Sequence, residues 1–189
     1  MSKHISSLAP SVVVDTAAAR VAVSQMIGRI SLRARTNENG GDLAAVGKAI
    51  GVALPTQIGG RAKADGIEVA CLGPDEWTLL VSLEQIEKVE DALAALYPSL
   101  PHSMTEVTGR EVTLTIEGPQ AAELLSIGAP RDISSIKVGQ ARRMLFDGAT
   151  VVLWRDSETS FRMDVWNSFA SFLATTLETG AKELAAELA

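Results

Sequence analysis

The chain has 189 residues, 47% hydrophobic but only 4% aromatic, and its 17 basic and 23 acidic side chains give a net charge of −6. Without a dense basic cluster, an acidic chain is not expected to bind nucleic acid, and no apolar run reaches the roughly 20 residues that span a membrane. The single cysteine excludes an intramolecular disulfide. In the absence of a recognisable secretion signal, we expect a cytoplasmic protein.

The first half of the chain is predicted to start with a polar, mobile or partner-dependent arm over residues 1–11. A short edge strand is expected at 12–14 and a longer alternating strand at 30–35. Gly40-Gly41 then separates this strand from an Ala-rich helix over 42–51, for which Asp42 is the expected N-cap. These segments predict a strand, a break and a short helix.

A hairpin and a longer helix are predicted to complete the first half. Residues 67–72 and 77–82 are expected to pair across a four-residue turn that contains Asp75 and Glu76. Ser82 and Gln85 have the spacing of a capping box. The helix that follows them has one stripe of apolar residues and is expected to end near residue 96.

The second half repeats this order more clearly. Predicted segments are a strand at 110–117, a helix at 119–127 after Gly118-Pro119, strands at 142–146 and 149–154 joined by Asp147-Gly148, a strand at 161–166, and a last helix from Ser168 to about Leu188. Gly180 is expected to weaken or bend the last helix.

The repeated order predicts an α+β fold of two β-α-β-β-α halves. Residues 12–189 are expected to form a single pseudo-duplicated domain with lobes at about 12–100 and 101–189. In this arrangement the helices at 42–50 and 119–127 occupy equivalent positions.

No catalytic, cofactor-binding or metal-binding residue is predicted. His4 and His102 lack a second ligand at a suitable spacing, and Cys71 lies in an apolar strand. His102 and Ser103 with Glu106 are a poor nucleophilic system, because catalytic triads are assembled from separated segments. The neighbouring carboxylates Asp75 and Glu76 fit a turn better than an acid/base pair.

The apolar content, with a mean hydropathy of +0.18, suggests a surface that a partner buries. Candidate interface residues are Trp77, Trp154, Trp166 and Arg110. Each tryptophan lies at a strand edge or end, where it either packs in the core or anchors a partner. Arg110 and the other strand arginines, Arg142, Arg143 and Arg162, either pair with a partner's acidic groups or are simply solvated.

Several stretches in order resemble the gamma subunit of heterotetrameric sarcosine oxidase. They are Gly73-Pro74-Asp75-Glu76-Trp77, Thr105-Glu106-Val107-Thr108-Gly109-Arg110, Glu117-Gly118-Pro119, Phe161-Arg162-Met163-Asp164-Val165 and Asn167-Ser168-Phe169-Ala170-Ser171-Phe172-Leu173. The resemblance covers about residues 60–180. The chain departs from the family pattern at Glu106-Val107-Thr108, and it has Asn167 at a position where the family usually has arginine. A related N-methyl amine is therefore an open alternative as the substrate of the complex.

The resemblance implies a non-catalytic subunit with a fold like the folate-binding domain of aminomethyltransferases. It also implies alpha, beta and delta partner subunits that carry FAD, FMN, NAD, tetrahydrofolate and zinc, with no cofactor in this chain. The alternative is a free-standing folate-binding, aminomethyltransferase-like protein, although such proteins are about twice as long.

Overall fold

The computed structural model describes residues 5–35 and 43–188. Within these ranges the chain forms two compact units. One is continuous, from Ile27 to Thr108, and the other combines the chain up to Met26 with the chain from Gly109 onward. The proposed N-cap Asp42 and the histidine His4 lie outside the described residues.

The described residues form eleven strands and four α-helices. The strands are β1 (Ser11–Asp15), β2 (Arg20–Val23), β3 (Gly28–Ala34), β4 (Arg61–Ala64), β5 (Ile67–Gly73), β6 (Glu76–Val81), β7 (His102–Glu106), β8 (Glu111–Glu117), β9 (Ala141–Phe146), β10 (Ala149–Arg155) and β11 (Ser160–Trp166). The helices are α1 (Leu43–Ile50), α2 (Ile86–Leu96), α3 (Ala121–Ser126) and α4 (Asn167–Glu187), with short 3-10 turns at Leu83–Gln85, Thr108–Arg110 and Ile133–Ser135.

The continuous unit is built on an antiparallel five-stranded sheet in the order β4-β5-β6-β3-β7. Alternating apolar residues on β3 and β6 place one face of the sheet in a core that α1 and α2 also line. Leu32, Trp77, Leu79, Val89 and Leu93 are among the buried members of this core. The predicted stripe on the helix before residue 96 is therefore a core face.

The second unit is built on an antiparallel six-stranded sheet in the order β1-β2-β8-β11-β10-β9. Val112, Leu114 and Ile116 on β8 face the core, as their alternation with polar residues predicts. Helices α3 and α4 cover this face, and α4 contributes a buried stripe: Ala170, Leu173, Ala174, Leu177 and Ala181. Helical periodicity thus fixes which side of α4 meets the sheet.

The predicted duplication is visible in the strand order. The sheet segments β3-β6-β5-β4 and β8-β11-β10-β9 have the same connectivity, and in each a short helix follows the first strand while a longer helix follows the last. The α+β fold class is confirmed. Each half has three strands after its first helix, one more than the β-α-β-β-α order contains. In the first half the additional strand is β4, where Arg61 and Lys63 alternate with Ala62 and Ala64 over only four residues.

The boundaries of the two units differ from the predicted lobes at 12–100 and 101–189. Strand β2 precedes the first half but pairs with β8, and β7 precedes the second half but pairs with β3. Each half therefore completes its sheet with the strand that leads into the other half. A single pseudo-duplicated domain over 12–189 remains a prediction.

Two local predictions have different outcomes. Asp147 and Gly148 have φ values of 45° and 78°, so the β9–β10 hairpin turns through the left-handed region as its Asp-Gly sequence predicts. The capping box at Ser82 does not form, because the Ser82 hydroxyl donates to the Gln85 side chain at 3.1 Å and caps no backbone amide.

Among the described residues, no helix is both long and apolar enough to cross a membrane.

Candidate partner interface

Two of the three candidate tryptophans are core residues. Trp77 is 1% exposed and its indole N–H donates to the carbonyl of Pro55 at 2.7 Å. Trp154 is fully buried and donates to the carboxylate of Asp164 at 2.7 Å. A side chain without accessible surface cannot contact a partner. Both tryptophans are therefore core residues, and neither contributes to an exposed surface.

The third tryptophan is exposed and lies beside the candidate arginine. Trp166 ends β11, immediately precedes α4 and keeps 47% of its surface accessible. The guanidinium carbon of Arg110 lies 5.9 Å from the centroid of the Trp166 ring. Arg110 also donates to the Glu111 carboxylate at 2.8 Å, which restricts the rotamers of the arginine. The structure thus brings together two of the four predicted residues.

Two phenylalanines that the sequence analysis did not single out extend this surface. Phe169 and Phe172 lie on the first two turns of α4 and are 42% and 51% exposed. Residues three apart on a helix are neighbours on its surface, so Trp166, Phe169 and Phe172 follow one another along the start of α4. We call these three side chains the aromatic strip. Large apolar side chains are usually buried, so three in succession mark an unusual surface.

The amide of Asn167 ties the N-terminal segment to the start of α4. Its oxygen accepts from the backbone N–H of Ser7 at 2.8 Å, and its nitrogen donates to the carbonyl of Ile5 at 3.3 Å and to the carbonyl of Gly109. Leu8 packs against the core of the same unit. The described part of the predicted arm, residues 5–11, therefore contacts the body next to the aromatic strip.

The side chains considered for catalysis make structural contacts. His102 lies on β7, where its Nδ1 is 2.7 Å from the Leu100 carbonyl and its ring meets Tyr97 edge to face at 5.6 Å. The Cys71 thiol is buried and contacts the Gly73 carbonyl at 3.2 Å. Across residues 5–35 and 43–188, no group of three or more His, Cys, Asp or Glu side chains could hold a metal ion.

Asp75 is an ion-pair partner at the β5–β6 turn. Arg35 donates to its carboxylate at 2.7 Å, and Arg33 approaches the same group at 3.4 Å. The hydrogen bond from Arg35, together with the charges of both arginines, lowers the pKa of Asp75 despite some desolvation. A carboxyl group with a lowered pKa is a poor proton donor at neutral pH, which agrees with its interpretation as a turn residue.

Comparison with known proteins identifies the family to which this chain belongs. Residues 37–183 match the family model described as "Sarcosine oxidase, gamma subunit family". The chain belongs to this family. Sarcosine oxidase subunit gamma from Corynebacterium sp. strain U-96 is 32% identical over 123 residues, which are 64% of this chain and 59% of that protein. The subunit from Corynebacterium sp. strain P-1 is 30% identical over 150 residues, covering 78% of this chain and 73% of the relative.

Solved structures agree with this membership of the gamma subunit family. A chain of the heterotetrameric sarcosine oxidase from Corynebacterium sp. U-96, solved in complex with pyrrole 2-carboxylate, is similar with a TM-score of 0.78 and 26% identity. The match covers 91% of this chain and 88% of that chain. The glycine cleavage system aminomethyltransferase T from Bartonella henselae has a TM-score of 0.60 at 15% identity, over 80% of this chain and 43% of that chain. The second match shows the shared fold alone and confirms the aminomethyltransferase-like architecture.

Proposed function

We propose that this chain is the non-catalytic gamma subunit of a heterotetrameric complex of the sarcosine oxidase type. Such a complex oxidatively demethylates sarcosine or a related N-methyl amine, and this chain stabilises its large flavin- and folate-binding subunits. The observation that carries the proposal is the similarity, over 91% of this chain, to a chain of a heterotetrameric sarcosine oxidase.

The aromatic strip and Arg110 form the docking surface in this proposal. Tryptophan and arginine are enriched among the residues that dominate binding free energy, and they act best at the centre of a buried patch. The three half-exposed aromatic side chains hold on the order of 300 Å² of apolar surface. At about 25 cal/mol per Å², burying this surface contributes on the order of 7 kcal/mol before the costs of association.

In the proposed complex the cofactors lie in the other subunits. FAD, FMN, NAD, tetrahydrofolate and zinc belong to the alpha, beta and delta chains, and the complex works in the cytoplasm. The contacts of His102, Cys71 and Asp75 support the placement of the chemistry in other subunits. Each of these side chains contacts another group within this chain.

Co-expression with the other three subunits tests the proposal. A tagged form of this chain is expected to purify with them at a 1:1 ratio, whereas the chain purified alone is expected to be colourless and to produce no peroxide from sarcosine. Titration of the isolated chain with tetrahydrofolate distinguishes the free-standing alternative. Stoichiometric folate binding by a chain that does not associate with the other subunits would favour that alternative.

A further inference from the structure

A pocket of about 140 Å³ lies in the continuous unit, between the end of α1, the start of α2 and the turn from β4 to β5. Its apolar lining includes Ile50, Ile67 and Val89, all of which are buried. Lys48, Lys88 and Asp65, all three exposed, also line the pocket. The pocket therefore combines an apolar floor with charges of both signs at its rim.

The backbone at the rim of the pocket is held in a specific conformation by one turn and one helix end. Asp65 and Gly66 have φ values of 49° and 79°, and the Gln85 amide donates to the carbonyl of Asp65 at 3.0 Å, which fixes the turn against α2. Gly51 ends α1 with a φ of 81°. A Cβ atom at Gly51 would come within 3.6 Å of the Asp65 carboxylate, so this carboxylate lies next to the end of α1.

The three charged groups at the rim form no ion pair with any residue that the structure describes. Two lysines and one aspartate thus line one small pocket without pairing with one another. Ala49 and Ile50 at the end of α1 also line the pocket, and the negative end of the helix dipole there favours a positive charge. A ligand that fits this arrangement carries both a carboxylate and an ammonium group.

We propose that the pocket binds a small zwitterionic amino acid. The carboxylate of the ligand pairs with Lys48 and Lys88, and its ammonium group pairs with Asp65 and the α1 carbonyls. A cavity of roughly 150 Å³ accommodates benzene, which has about six non-hydrogen atoms. Glycine, alanine and sarcosine are of this size, whereas amino acids with long side chains exceed the space above the buried floor.

The site is independent of the proposed docking surface. All of its residues belong to the unit from Ile27 to Thr108, whereas the aromatic strip belongs to the other unit. Ligand binding is measured on the full chain without partner subunits, so failure of this inference leaves the assembly proposal untouched.

Equilibrium dialysis of the full chain against labelled alanine tests the inference, with glycine and sarcosine as competitors. Saturable binding of one molecule per chain is expected. Acetate and methylamine, which each carry only one of the ligand's two charged groups, are expected to compete at least roughly tenfold more weakly than glycine. Non-saturable uptake, or acetate competing as well as glycine, overturns the inference.

Substitutions at the rim locate the binding. The double variant K48Q/K88Q is expected to raise the Kd for alanine by roughly tenfold or more, and D65N by roughly fivefold. Asparagine tolerates the left-handed backbone at position 65, so D65N removes the charge without straining the turn. K63Q, which changes an exposed lysine on β4 outside the pocket, is the matched control and is expected to leave the Kd unchanged. Rim variants that bind like K63Q overturn the inference, and methyl resonances of Ile67 and Val89 that do not shift with alanine also overturn it.

Discussion

The guanidinium group of Arg110 lies over the indole ring of Trp166, with 5.9 Å between its central carbon and the ring centroid. The antiparallel register of β8 and β11 explains this contact, because Glu111 pairs with Trp166 and brings the preceding arginine alongside. The contact orders two side chains that remain about half exposed. Side chains ordered before association lose less entropy on binding, so this pair suits one end of the proposed docking surface.

Removing the aromatic strip is expected to weaken association with the partner subunits. The double variant F169S/F172S loses two exposed rings but leaves the buried stripe of α4 unchanged. Truncation of a central interface residue costs about 1–3 kcal/mol, so the Kd for the remaining subunits is expected to rise roughly 30-fold or more. Titration calorimetry with the other three subunits as a preformed complex measures this change.

The matched control for this prediction is Y97S, because Tyr97 is an exposed aromatic residue of the other unit. Y97S is expected to change the Kd less than about twofold. Equal effects of Y97S and F169S/F172S would show that the aromatic strip has no special role in assembly.

Asn167→Ala is expected to release the N-terminal segment. The substitution removes the hydrogen bonds to Ser7, Ile5 and Gly109, and we expect a loss of about 1–2 kcal/mol in the free energy of unfolding. Hydrogen exchange of residues 5–11 should accelerate while exchange on β8 stays unchanged. S168A, which alters the next and exposed residue, serves as the control. Unchanged exchange at residues 5–11 would contradict the anchoring role of Asn167.

The two buried tryptophans give a prediction about stability rather than assembly. Trp154→Phe leaves the buried Asp164 carboxylate without the indole donor, whereas Trp77→Phe removes a donor from the neutral Pro55 carbonyl. Because hydrogen bonds to charged groups are stronger, we expect W154F to cost about 2–3 kcal/mol and W77F about 1–2 kcal/mol in chemical denaturation. If either variant weakened subunit binding as much as F169S/F172S, the assignment of these tryptophans to the core would be untenable.

The fold was predictable where local patterns and turn chemistry agree. The alternation on β8 and the Asp147-Gly148 turn each specify one local conformation, and both occur as predicted. Strand β4 was not predicted as a separate element, because its alternation of charged residues with alanine spans only four residues and alanine is a weak strand former. The pairing of β2 with β8 could not be predicted from the sequence, because pairing between distant strands depends on the tertiary arrangement and not on local preference.

The candidate interface was only partly predictable. A tryptophan in the sequence can be either a core residue or a surface anchor, because the indole N–H can be satisfied inside the protein. Trp77 and Trp154 each donate this N–H to an internal acceptor. A signal for Phe169 and Phe172 was nevertheless present. Both lie outside the stripe that contains Leu173 and Leu177, so the start of α4 is apolar on more than one side.

A close backbone approach makes Gly118 sensitive to substitution. Its φ is 135°, and a Cβ atom there would lie 2.8 Å from the Ala19 Cα and 2.9 Å from the Ala18 carbonyl oxygen. Gly148 has a φ of 78° but open space around it, so G148A is a control for the backbone strain alone. We expect G118A to lower the free energy of unfolding by about 1–3 kcal/mol more than G148A does in urea denaturation. Equal losses would contradict the close packing of the β8–α3 turn against residues 18 and 19.

Sedimentation velocity of this chain, alone and mixed with the other subunits of the complex, tests the central claim most directly. A chain that docks through an exposed apolar surface is expected to self-associate when alone and to enter a single faster-sedimenting species at a 1:1 ratio when its partners are added. F169S/F172S should reduce both effects. A sharply monomeric chain that keeps its own sedimentation coefficient in the mixture would contradict the account.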